Sequence, residues 1–373
     1  MRSEDARYMR VALALGERAF GSAWPNPAVG CVIVRDGRIV GRGWTGAGGR
    51  PHAETVALAR AGPAARGATA YVTLEPCAHH GHTPPCCDAL IAAGVGRVVV
   101  AMRDPDPRVD GRGLAVLRAA GVAVELGCLE AEARRAHAGF LARLRLGRPM
   151  VTLKAAISLD GRIASGSGVG RWISGEAARL WAHRLRSEHD AILVGSGTVL
   201  ADDPELTCRV PGLSGRSPVR VVLDRRLRLP PDSRLVRTAG DHPVWVVTRS
   251  PGDDARAVAL RSRGVRIEPL PATTGDGLAD ALALLAERGI TRLLVEGGKE
   301  TATAFIRAGL VDRLVLFQAP ILLGEDSVAL VGAWGIERPA TAPRWVLVDE
   351  RRVASDRMLV LEPARGEGCS PVS

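Results

Sequence analysis

The chain has 373 residues, of which 46% are hydrophobic and only 3% aromatic, and it carries a formal net charge of +10. Its length allows two or three domains, no apolar run approaches the ~20 residues of a membrane span, and the shortage of aromatic residues argues against stacking on nucleic-acid bases. We therefore expect a cytoplasmic protein with no membrane or nucleic-acid partner, whose positive charge favours an anionic substrate or cofactor.

The first half of the chain alternates predicted helices and strands. Residues 4–20 mix charged and apolar positions, which predicts an amphipathic helix rather than a signal peptide, and two strands within 28–44 flank the turn Asp36-Gly37. The pattern predicts a three-layer α/β domain. Its further elements are helix 52–61, strand 68–76, helix 86–94 capped by Thr83, strand 97–102, helix 113–121, strand 122–126 and an Arg-rich helix 129–146 that ends at Gly147.

A second α/β unit begins near Pro149, so we expect domains at 1–147 and 148–373. Strand 150–158 precedes the turn Asp160-Gly161, and a helix over 174–190 has Ser174 as its predicted cap. The other predicted elements are strands 191–196, 219–224, 244–248, 265–270, 292–298 and 313–320, helices near 253–263 and 276–288, and a closing hairpin over 344–362.

One short region carries metal chemistry: His52-Ala53-Glu54, then Pro76-Cys77, then Pro85-Cys86. His and Cys are good zinc ligands, and three protein ligands leave a fourth position for water. A glutamate two residues from the histidine can move protons to and from that water. This set is typical of zinc deaminases, in which activated water attacks a ring carbon bearing an amino group and the glutamate is the general acid and base.

The spacing of the two cysteines departs from the usual P-C-x-x-C pattern, because eight residues separate Cys77 from Cys86. A longer loop is acceptable, since ligands need only meet in space. Its histidines, His79, His80 and His82, are candidates for substrate or metal contacts. Cys87 is an alternative ligand, although it would point about 100° away on a helix. The competing interpretation is a pair of buried cysteines; a disulfide framework is not expected in a long chain with seven cysteines and no export signal.

Longer motifs carry a family resemblance. The stretch YVTLEPCAHHGHTPPCCDALI, with PNPAVGCVIV upstream and DPDPRVDGRG downstream, resembles the deaminase domain of the bifunctional riboflavin-biosynthesis deaminase/reductase family. VTLKAAISLDGRIA, VGSGTVLADDPELTCR and LLVEGG resemble its reductase domain. The resemblance covers nearly the whole chain. It implies a cytidine-deaminase-like domain followed by a dihydrofolate-reductase-like α/β domain.

The resemblance implies that the first domain hydrolyses the 2-amino group of 2,5-diamino-6-(5-phosphoribosylamino)pyrimidin-4-one and releases ammonia. One zinc ion would be held by His52, Cys77 and Cys86, with Glu54 as the proton shuttle. Asn26 would hydrogen-bond the pyrimidine, and its alternative role is a turn residue before Pro27. The remaining matches to substrate positions are His79 and Asp104. The chain departs from the family at His82, commonly Lys or Arg, and at Asp106, commonly Asn, which weakens any phosphate contact there.

The second half lacks a G-x-G-x-x-G after a strand. Instead, Glu296-Gly297-Gly298 joins a predicted strand to a helix from Lys299, where glycines admit a phosphate and the helix N-terminus favours anions. The resemblance implies that NADPH binds here and reduces the ribosyl group to ribityl. The matched substrate positions are Lys154, Gly170, Arg186, Leu206, Arg209 and Glu296. The expected cofactor positions are Ala156, Trp172, Thr198, Asp202, Arg225, Gly298, Lys299, Glu300, Thr301, Ala302, Thr303 and Ala304.

Several of these residues have specific expected roles. Arg186 and Arg209 suit bidentate phosphate binding, although both could be ordinary surface arginines. Arg225 is a candidate for the 2′-phosphate of NADPH, and Trp172 could equally be a core residue. Gly170 stands where the family commonly has Ser. The only two lysines among 50 basic residues are Lys154 and Lys299, which suggests positions that need a compact charge.

Two other functions stay open at this stage. One is a base or nucleoside deaminase joined to an unrelated reductase-like domain. The other is a non-enzymatic RNA-binding protein with a structural zinc, although structural sites usually have four protein ligands. The expected partner is the phosphoribosyl pyrimidine, and a homo-oligomer would form through the reductase domain.

Overall fold

A computed structural model describes residues 3–80, 84–166, 172–250, 255–271 and 277–364. Two compact units comprise residues 1–149 with 285–291, and residues 150–284 with 292–373. The domain boundary at 147/148 stays a prediction. Gly170, His82 and the cap Thr83 lie outside the described residues. Within the described ranges, no helix is long and apolar enough to cross a membrane.

The first unit is built on a five-stranded sheet in the order β2-β1-β3-β4-β5. β1 is antiparallel to β2 and β3, whereas β3, β4 and β5 are parallel. The strands are β1 Gly30–Arg35, β2 Arg38–Trp44, β3 Thr69–Val72, β4 Arg97–Val100 and β5 Ala123–Leu126. The helices are α1 Ser3–Glu17, α2 Ala53–Ala61, α3 Cys86–Ala92, α4 Arg112–Ala119, α5 Glu130–Ala136 and α6 Ala138–Leu146.

Side chains of β1 point alternately into two cores, which is why nearly all of this strand is apolar. Cys31 and Ile33 join the core on one face, together with residues of α2, α3 and α4. Val32 and Val34 join the core on the other face, with residues of α1. Helices therefore cover both faces of the sheet, and the predicted three-layer arrangement is confirmed.

The second unit contains a nine-stranded sheet in the order β11-β10-β9-β8-β12-β6-β13-β16-β15. The strands from β11 to β13 are parallel, and the closing hairpin β15–β16 is antiparallel. Its strands are β6 Met150–Ile157, β8 Ala191–Gly195, β9 Val219–Leu223, β10 Val244–Thr248, β11 Arg266–Pro269, β12 Arg292–Val295, β13 Arg313–Gln318, β15 Trp345–Val353 and β16 Asp356–Pro363. Two further strands, β7 Arg162–Ala164 and β14 Val328–Ala329, form a separate antiparallel pair. The helices are α7 Glu176–Ser187, α8 Ser196–Asp202, α9 Arg234–Arg237, α10 Ala255–Arg261, α11 Leu278–Glu287 and α12 Lys299–Arg307.

The strand order of this sheet positions a site. From β8 the chain continues to β9 on one side, and from β12 it continues to β13 on the other side. In open parallel sheets, ligands bind in the crevice at the carboxyl ends of the strands where the order reverses in this way. The carboxyl ends of β8 and β12 are therefore the expected edge for a cofactor.

Two sequence expectations were wrong in detail, and some short elements were not expected. The helix predicted over 129–146 is broken at His137, whose buried ring lies with Nε2 3.2 Å from Thr73 Oγ1. Ser174 does not cap α7; Gly175 is the residue before that helix, and its N–H donates to Asp356 Oδ2 at 2.7 Å. The short elements α8, α9, β7 and β14 were not predicted.

Candidate active sites

The predicted metal ligands come from three different elements of the first unit. His52 immediately precedes α2, Cys77 follows β3, and Cys86 is the first residue of α3. α2 packs against α3, which brings the starts of these helices together. His52 Nδ1 lies 3.2 Å from Cys86 Sγ and 3.7 Å from Cys77 Sγ, and the three ligand atoms lie within 4.8 Å of one another.

Glu54 lies in the first turn of α2, two residues after His52, and is 4% exposed. Burial, and then the negative charge on Cys77, raise the pKa of Glu54 to about 7. Near neutral pH this carboxyl group can therefore both accept and release a proton, which is what a general acid and base needs.

Glu75 is a residue of this site that the sequence reasoning missed. Its buried carboxylate accepts hydrogen bonds from the backbone N–H groups of Asp104, Gly111, Gly113 and Leu114, at 3.3, 3.0, 2.9 and 3.3 Å. It thereby joins the segment before Cys77 to the loop after β4 and to the start of α4. An acid next to Pro76-Cys77 at the end of an apolar strand was the available signal.

A glycine keeps the same segments close. A Cβ atom at Gly113 would lie 2.0 Å from the carbonyl oxygen of Pro76, so any other residue there would push α4 away from the backbone beside Cys77. Cys87, the alternative ligand, lies instead with its Sγ 3.4 Å from the same Pro76 oxygen and is fully buried. The cluster within the described residues contains Cys86, not Cys87.

The expected substrate residues of the first unit surround the loops that lead to the metal ligands. Asn26 Nδ2 donates to the Gly48 carbonyl at 3.4 Å, in the segment that leads to His52. Asp104 is buried, which raises its pKa to about 7, and it accepts the backbone N–H of Asp106 at 2.9 Å. His79 is exposed.

Asp106, one of the departures from the family pattern, is paired in this chain. Its carboxylate lies 2.6 Å from Arg108 Nη2, and this guanidinium lowers the pKa of Asp106. The repulsion of a phosphate group that the sequence suggested at Asp106 is therefore offset by the adjacent cation.

In the second unit, three ionic side chains meet at the end of β12. Glu296 follows β12, Arg186 lies on α7, and Lys154 lies on β6. Arg186 donates through Nε and Nη2 to the two oxygens of Glu296 at 2.9 and 3.0 Å, and Lys154 Nζ lies 3.6 Å from Glu296 Oε2. Burial alone would raise the pKa of Glu296, but Arg186 and Lys154 outweigh it and hold that pKa far below the ordinary value.

This pairing changes the expectation for the two predicted phosphate ligands. The Arg186 side chain is only 13% exposed and its fork is occupied by Glu296, so it is not a surface arginine. Its Nη1 also donates to the Thr207 carbonyl at 3.0 Å. Arg209 is 53% exposed and lies 3.3 Å from Glu205. Leu206, which lies between Glu205 and Arg209 in the sequence, is buried and has a backbone φ of +59°.

A cavity of about 600 Å³ opens at the carboxyl ends of β8, β9, β10 and β12. Seven of the predicted cofactor residues line it: Thr198, Arg225, Gly298, Lys299, Glu300, Thr301 and Ala304. Arg226 and Arg228, which the sequence reasoning missed, also line it. Their signal was the basic run that directly follows β9.

Two glycines let the first turn of α12 close on this cavity. A Cβ atom at Gly297 would lie 2.4 Å from Thr301 Cβ, and one at Gly195 would lie 2.8 Å from Thr301 Oγ1. The loops after β8 and β12 therefore approach the same threonine. The start of α12, with its backbone N–H groups, faces the cavity between them.

Other predicted cofactor residues lie outside the cavity lining. Ala302 is fully buried, and Thr303 donates to the Lys299 carbonyl at 2.6 Å. Ala156 is paired with Phe317 across β6 and β13. Asp202 is exposed at the end of α8. Trp172 is 60% exposed, with the Arg179 guanidinium 5.0 Å from its ring centre, so the alternative of a core residue is wrong.

Comparison with known proteins gives the same two halves. Residues 149–359 match the family profile described as RibD C-terminal domain, and residues 2–102 match the cytidine and deoxycytidylate deaminase zinc-binding region. The chain is 44% identical to the riboflavin biosynthesis protein RibD of Escherichia coli over 96% of this chain and 99% of that protein. The chain belongs to the RibD family.

Solved structures agree with this membership over the full length. The RibD structure of Acinetobacter baumannii (form 1) has a TM-score of 0.86 at 40% identity, over 97% of this chain and 99% of that one. A Thermotoga maritima protein, described as a diaminohydroxyphosphoribosylaminopyrimidine deaminase/5-amino-6-(5-phosphoribosylamino)uracil reductase, has a TM-score of 0.85 at 35% identity, over 96% of this chain and 98% of that one. The predicted fold class and the predicted bifunctional deaminase and reductase of riboflavin biosynthesis are confirmed.

The donor atoms of the first unit fit the zinc that RibD deaminase domains use. One imidazole nitrogen and two sulfurs converge, which is the ligand chemistry zinc prefers. The Cys86 thiol donates to Cys77, and together with the Cys86 N–H at 3.3 Å it lowers the pKa of Cys77 to about 4. A thiolate, the form that binds metal, is thus favoured at Cys77, whereas the hydrogen bond to Cys77, and then burial, raise the pKa of the Cys86 thiol.

The cavity of the second unit fits the NADPH that RibD reductase domains use. It is lined by glycine backbone at the ends of β8 and β12 and by several cationic side chains. Backbone N–H groups and guanidinium groups both bind phosphate oxygens. Zinc and NADPH are the two cofactors of this enzyme, as the sequence predicted.

Proposed function

We propose that the first unit hydrolyses 2,5-diamino-6-(5-phosphoribosylamino)pyrimidin-4-one to the corresponding uracil, and that the second reduces the ribosyl group of that product to ribityl. The observation that carries the proposal is the convergence of His52, Cys77 and Cys86 beside the buried Glu54. The similar Thermotoga maritima protein, which is described as a deaminase and reductase of these compounds, supports it.

In the deaminase reaction, His52, Cys77 and Cys86 would hold zinc, which would make water a better nucleophile. Glu54 takes a proton from the attacking water and delivers protons to the substrate, so that ammonia leaves and a carbonyl oxygen remains. Glu54 is buried in the first turn of α2, two residues after His52, which places its carboxyl group beside the metal ligands. Asn26, His79 and Asp104 orient the pyrimidine.

In the reductase reaction, NADPH supplies a hydride. Opening of the ribosyl ring would leave a carbon–nitrogen double bond at the sugar carbon, and its reduction would need a hydride at this carbon and a proton at the nitrogen. Lys154 and Glu296 lie 3.6 Å apart at this edge of the sheet, and both are largely buried. Lys154 is the group that carries the proton, and Glu296 is the group that orients it. Leu206 and Arg209 contact the phosphoribosyl part, and Arg186 acts by fixing Glu296 rather than as a free phosphate fork.

The expected homo-oligomer has a candidate surface in the second unit. β15 is the last strand of its sheet, and Val346, Leu347 and Val348 on it are 51%, 49% and 49% exposed. An apolar edge strand is a ready template for pairing with another chain. We propose that a second copy of this chain covers β15. The cytoplasmic location and the absence of nucleic-acid and membrane partners stay predictions.

One experiment tests the proposed reactions together. Purified enzyme is incubated with the phosphoribosyl pyrimidine and NADPH, and ammonia release and NADPH consumption are followed in the same tube. We expect ammonia first and NADPH loss afterwards. Cytidine and deoxycytidylate are the controls: turnover of these alone would establish the nucleoside-deaminase alternative. Tight, salt-sensitive RNA binding without ammonia release would establish the structural-zinc alternative.

A further inference from the structure

One histidine of α7 lies within the arginine cluster of the reductase unit, and neither the motifs nor the expected site residues include it. His183 is one helical turn before Arg186. Its Nδ1 lies 3.1 Å from the Thr207 carbonyl oxygen, and its Nε2 lies 3.3 Å from Arg209 Nη2. A half-buried imidazole therefore joins the loop 205–209 to α7.

The charges that face this imidazole determine its protonation state. Burial, and then the guanidinium groups of Arg186 and Arg209, lower the pKa of His183 to about 4, although the hydrogen bond to the Thr207 carbonyl and the charge of Glu296 act in the opposite direction. The ring is thus neutral near pH 7. A neutral ring carries one proton. Nδ1 lies 3.1 Å from the Thr207 oxygen, 3.3 Å from the Arg209 backbone nitrogen and 3.5 Å from Arg186 Nη1. Donation of the proton from Nδ1 to the Thr207 oxygen, the shortest of these contacts, is the arrangement that leaves a lone pair on Nε2 to accept from Arg209 Nη2.

Arg186 and Arg209 differ in how their guanidinium groups are bonded, and this difference makes the contact between His183 and Arg209 important. Nε and Nη2 of Arg186 are both bonded to Glu296. Arg209 is 53% exposed, and its guanidinium is held on one nitrogen by Glu205 and on the other by His183. Arg209 is therefore the guanidinium at this edge that can turn toward an incoming phosphate, and two acceptors already restrict its orientation.

We propose that His183 is a positioning residue that orients Arg209 for the phosphate group of the substrate. This inference rests on the proposed reductase function, because the phosphate in question is that of the phosphoribosyl pyrimidine. An arginine that is already ordered loses less conformational freedom on binding. Removing its acceptor should weaken phosphate binding by roughly three- to tenfold, which corresponds to the ordering of one long side chain.

The variants separate an effect on Arg209 from a general disturbance of α7. His183→Leu removes both ring nitrogens, and His183→Gln retains a side-chain acceptor. Arg184→Gln is the matched control, because Arg184 is the next residue of α7 but is 56% exposed and paired with Glu188. Thermal melts establish that each variant is folded, and His183→Gln keeps the test decisive if His183→Leu does not fold.

The readouts are the KM of the deaminated phosphoribosyl substrate, kcat, the KM of NADPH, and the dissociation constant of inorganic phosphate by calorimetry. We expect His183→Leu to raise the substrate KM and the phosphate dissociation constant three- to tenfold, with kcat and the KM of NADPH within twofold of wild type. His183→Gln should recover part of the loss, and Arg184→Gln should match wild type. In an Arg209→Gln background, His183→Leu should add no further loss.

Three outcomes would overturn the inference: additive losses in the double variant, a fall in kcat with the substrate KM unchanged, or an unchanged phosphate dissociation constant in His183→Leu. The proposed function fails separately, if wild-type enzyme consumes no NADPH with the deaminated substrate. In that case the calorimetric comparison of phosphate binding still decides the role of His183.

Discussion

Glu296 offers the most exacting test of the reductase site, since one carboxylate balances two buried cations. Substituting Glu296→Gln keeps the shape of the side chain but removes its charge. The two hydrogen bonds from Arg186, at 2.9 and 3.0 Å, then lose their anionic acceptor, and Lys154 loses its partner at 3.6 Å. Arg186 and Lys154 are only 13% and 16% exposed, so water compensates them poorly.

The expected loss follows from this burial. Removing one partner of a buried ion pair destabilises a protein by about 3–5 kcal/mol, because the remaining charge stays buried. For a domain of roughly 200 residues, each kcal/mol corresponds to about 2–4 °C in Tm. We therefore expect Glu296→Gln to lower the Tm of the reductase unit by about 6–20 °C at pH 7, and to abolish NADPH consumption while ammonia release continues.

The pH dependence of stability is a second, independent test of the role of Glu296. The pKa of Glu296 in the folded protein lies below its ordinary value of 4.5. Its contribution to stability is therefore complete above about pH 4.5 and is lost as the pH falls toward the folded-state pKa. The difference in Tm between wild type and Glu296→Gln should accordingly shrink between pH 7 and pH 3.

Scanning calorimetry at several pH values measures both effects, and Glu362→Gln is the control. Glu362 pairs with Arg313 at 2.8 Å, but these side chains are 35% and 25% exposed, so its loss should cost at most about 1 kcal/mol. Equal losses in the two variants, or a wild-type advantage that does not change with pH, would refute the assignment of Glu296 as a buried counter-charge.

Three further predictions concern the other sites. Glu54→Gln should lower the deamination rate by about 10²–10⁴-fold, with zinc content near one per chain and NADPH oxidation of pre-deaminated substrate intact; loss of both activities would contradict two independent sites. Arg225→Gln should raise the KM of NADPH by about tenfold or more, as expected for a charged hydrogen bond, and leave that of NADH unchanged; equal effects on both cofactors would exclude a 2′-phosphate contact. Leu347→Glu should convert the oligomer to monomer in light scattering, and an unchanged mass would remove β15 from the interface.

The order and type of most elements could be predicted because the burial that creates them leaves a local pattern. β1 is apolar throughout since it faces two cores, and the turn Asp36-Gly37 marks its hairpin. The misplaced boundaries have tertiary causes that no local pattern contains. His137 breaks a helix beside Thr73, 64 residues upstream, and the N–H of Gly175 is bonded to Asp356, 181 residues downstream.

The contrast between local patterns and contacts of distant residues also explains which parts of the sites could be predicted. His52, Cys77 and Cys86 could be found because few residue types bind zinc and these lie within 35 residues of sequence. The pairing of Arg186 with Glu296 spans 110 residues, and nothing in so arginine-rich a chain distinguishes that arginine beforehand. The structure pairs this arginine with Glu296 across the fold, and its contact with a substrate phosphate stays a prediction.

The net charge of +10 is not felt equally at every site, because some of the cationic side chains are paired with carboxylates. Arg186 and Lys154 are balanced by Glu296, so they add little to the field that a ligand experiences. In the lining of the cofactor cavity, four cationic side chains, Arg225, Arg226, Arg228 and Lys299, accompany one carboxylate, Glu300. The buried Asp224 lies 4.0 Å from Arg228, and the surroundings of the cavity still carry a net positive charge. An anion with several phosphate charges is attracted by such a lining, and added salt screens the attraction because most of these groups are accessible to solvent. The KM of NADPH should therefore rise with ionic strength more steeply than the KM of NADH, which lacks the 2′-phosphate.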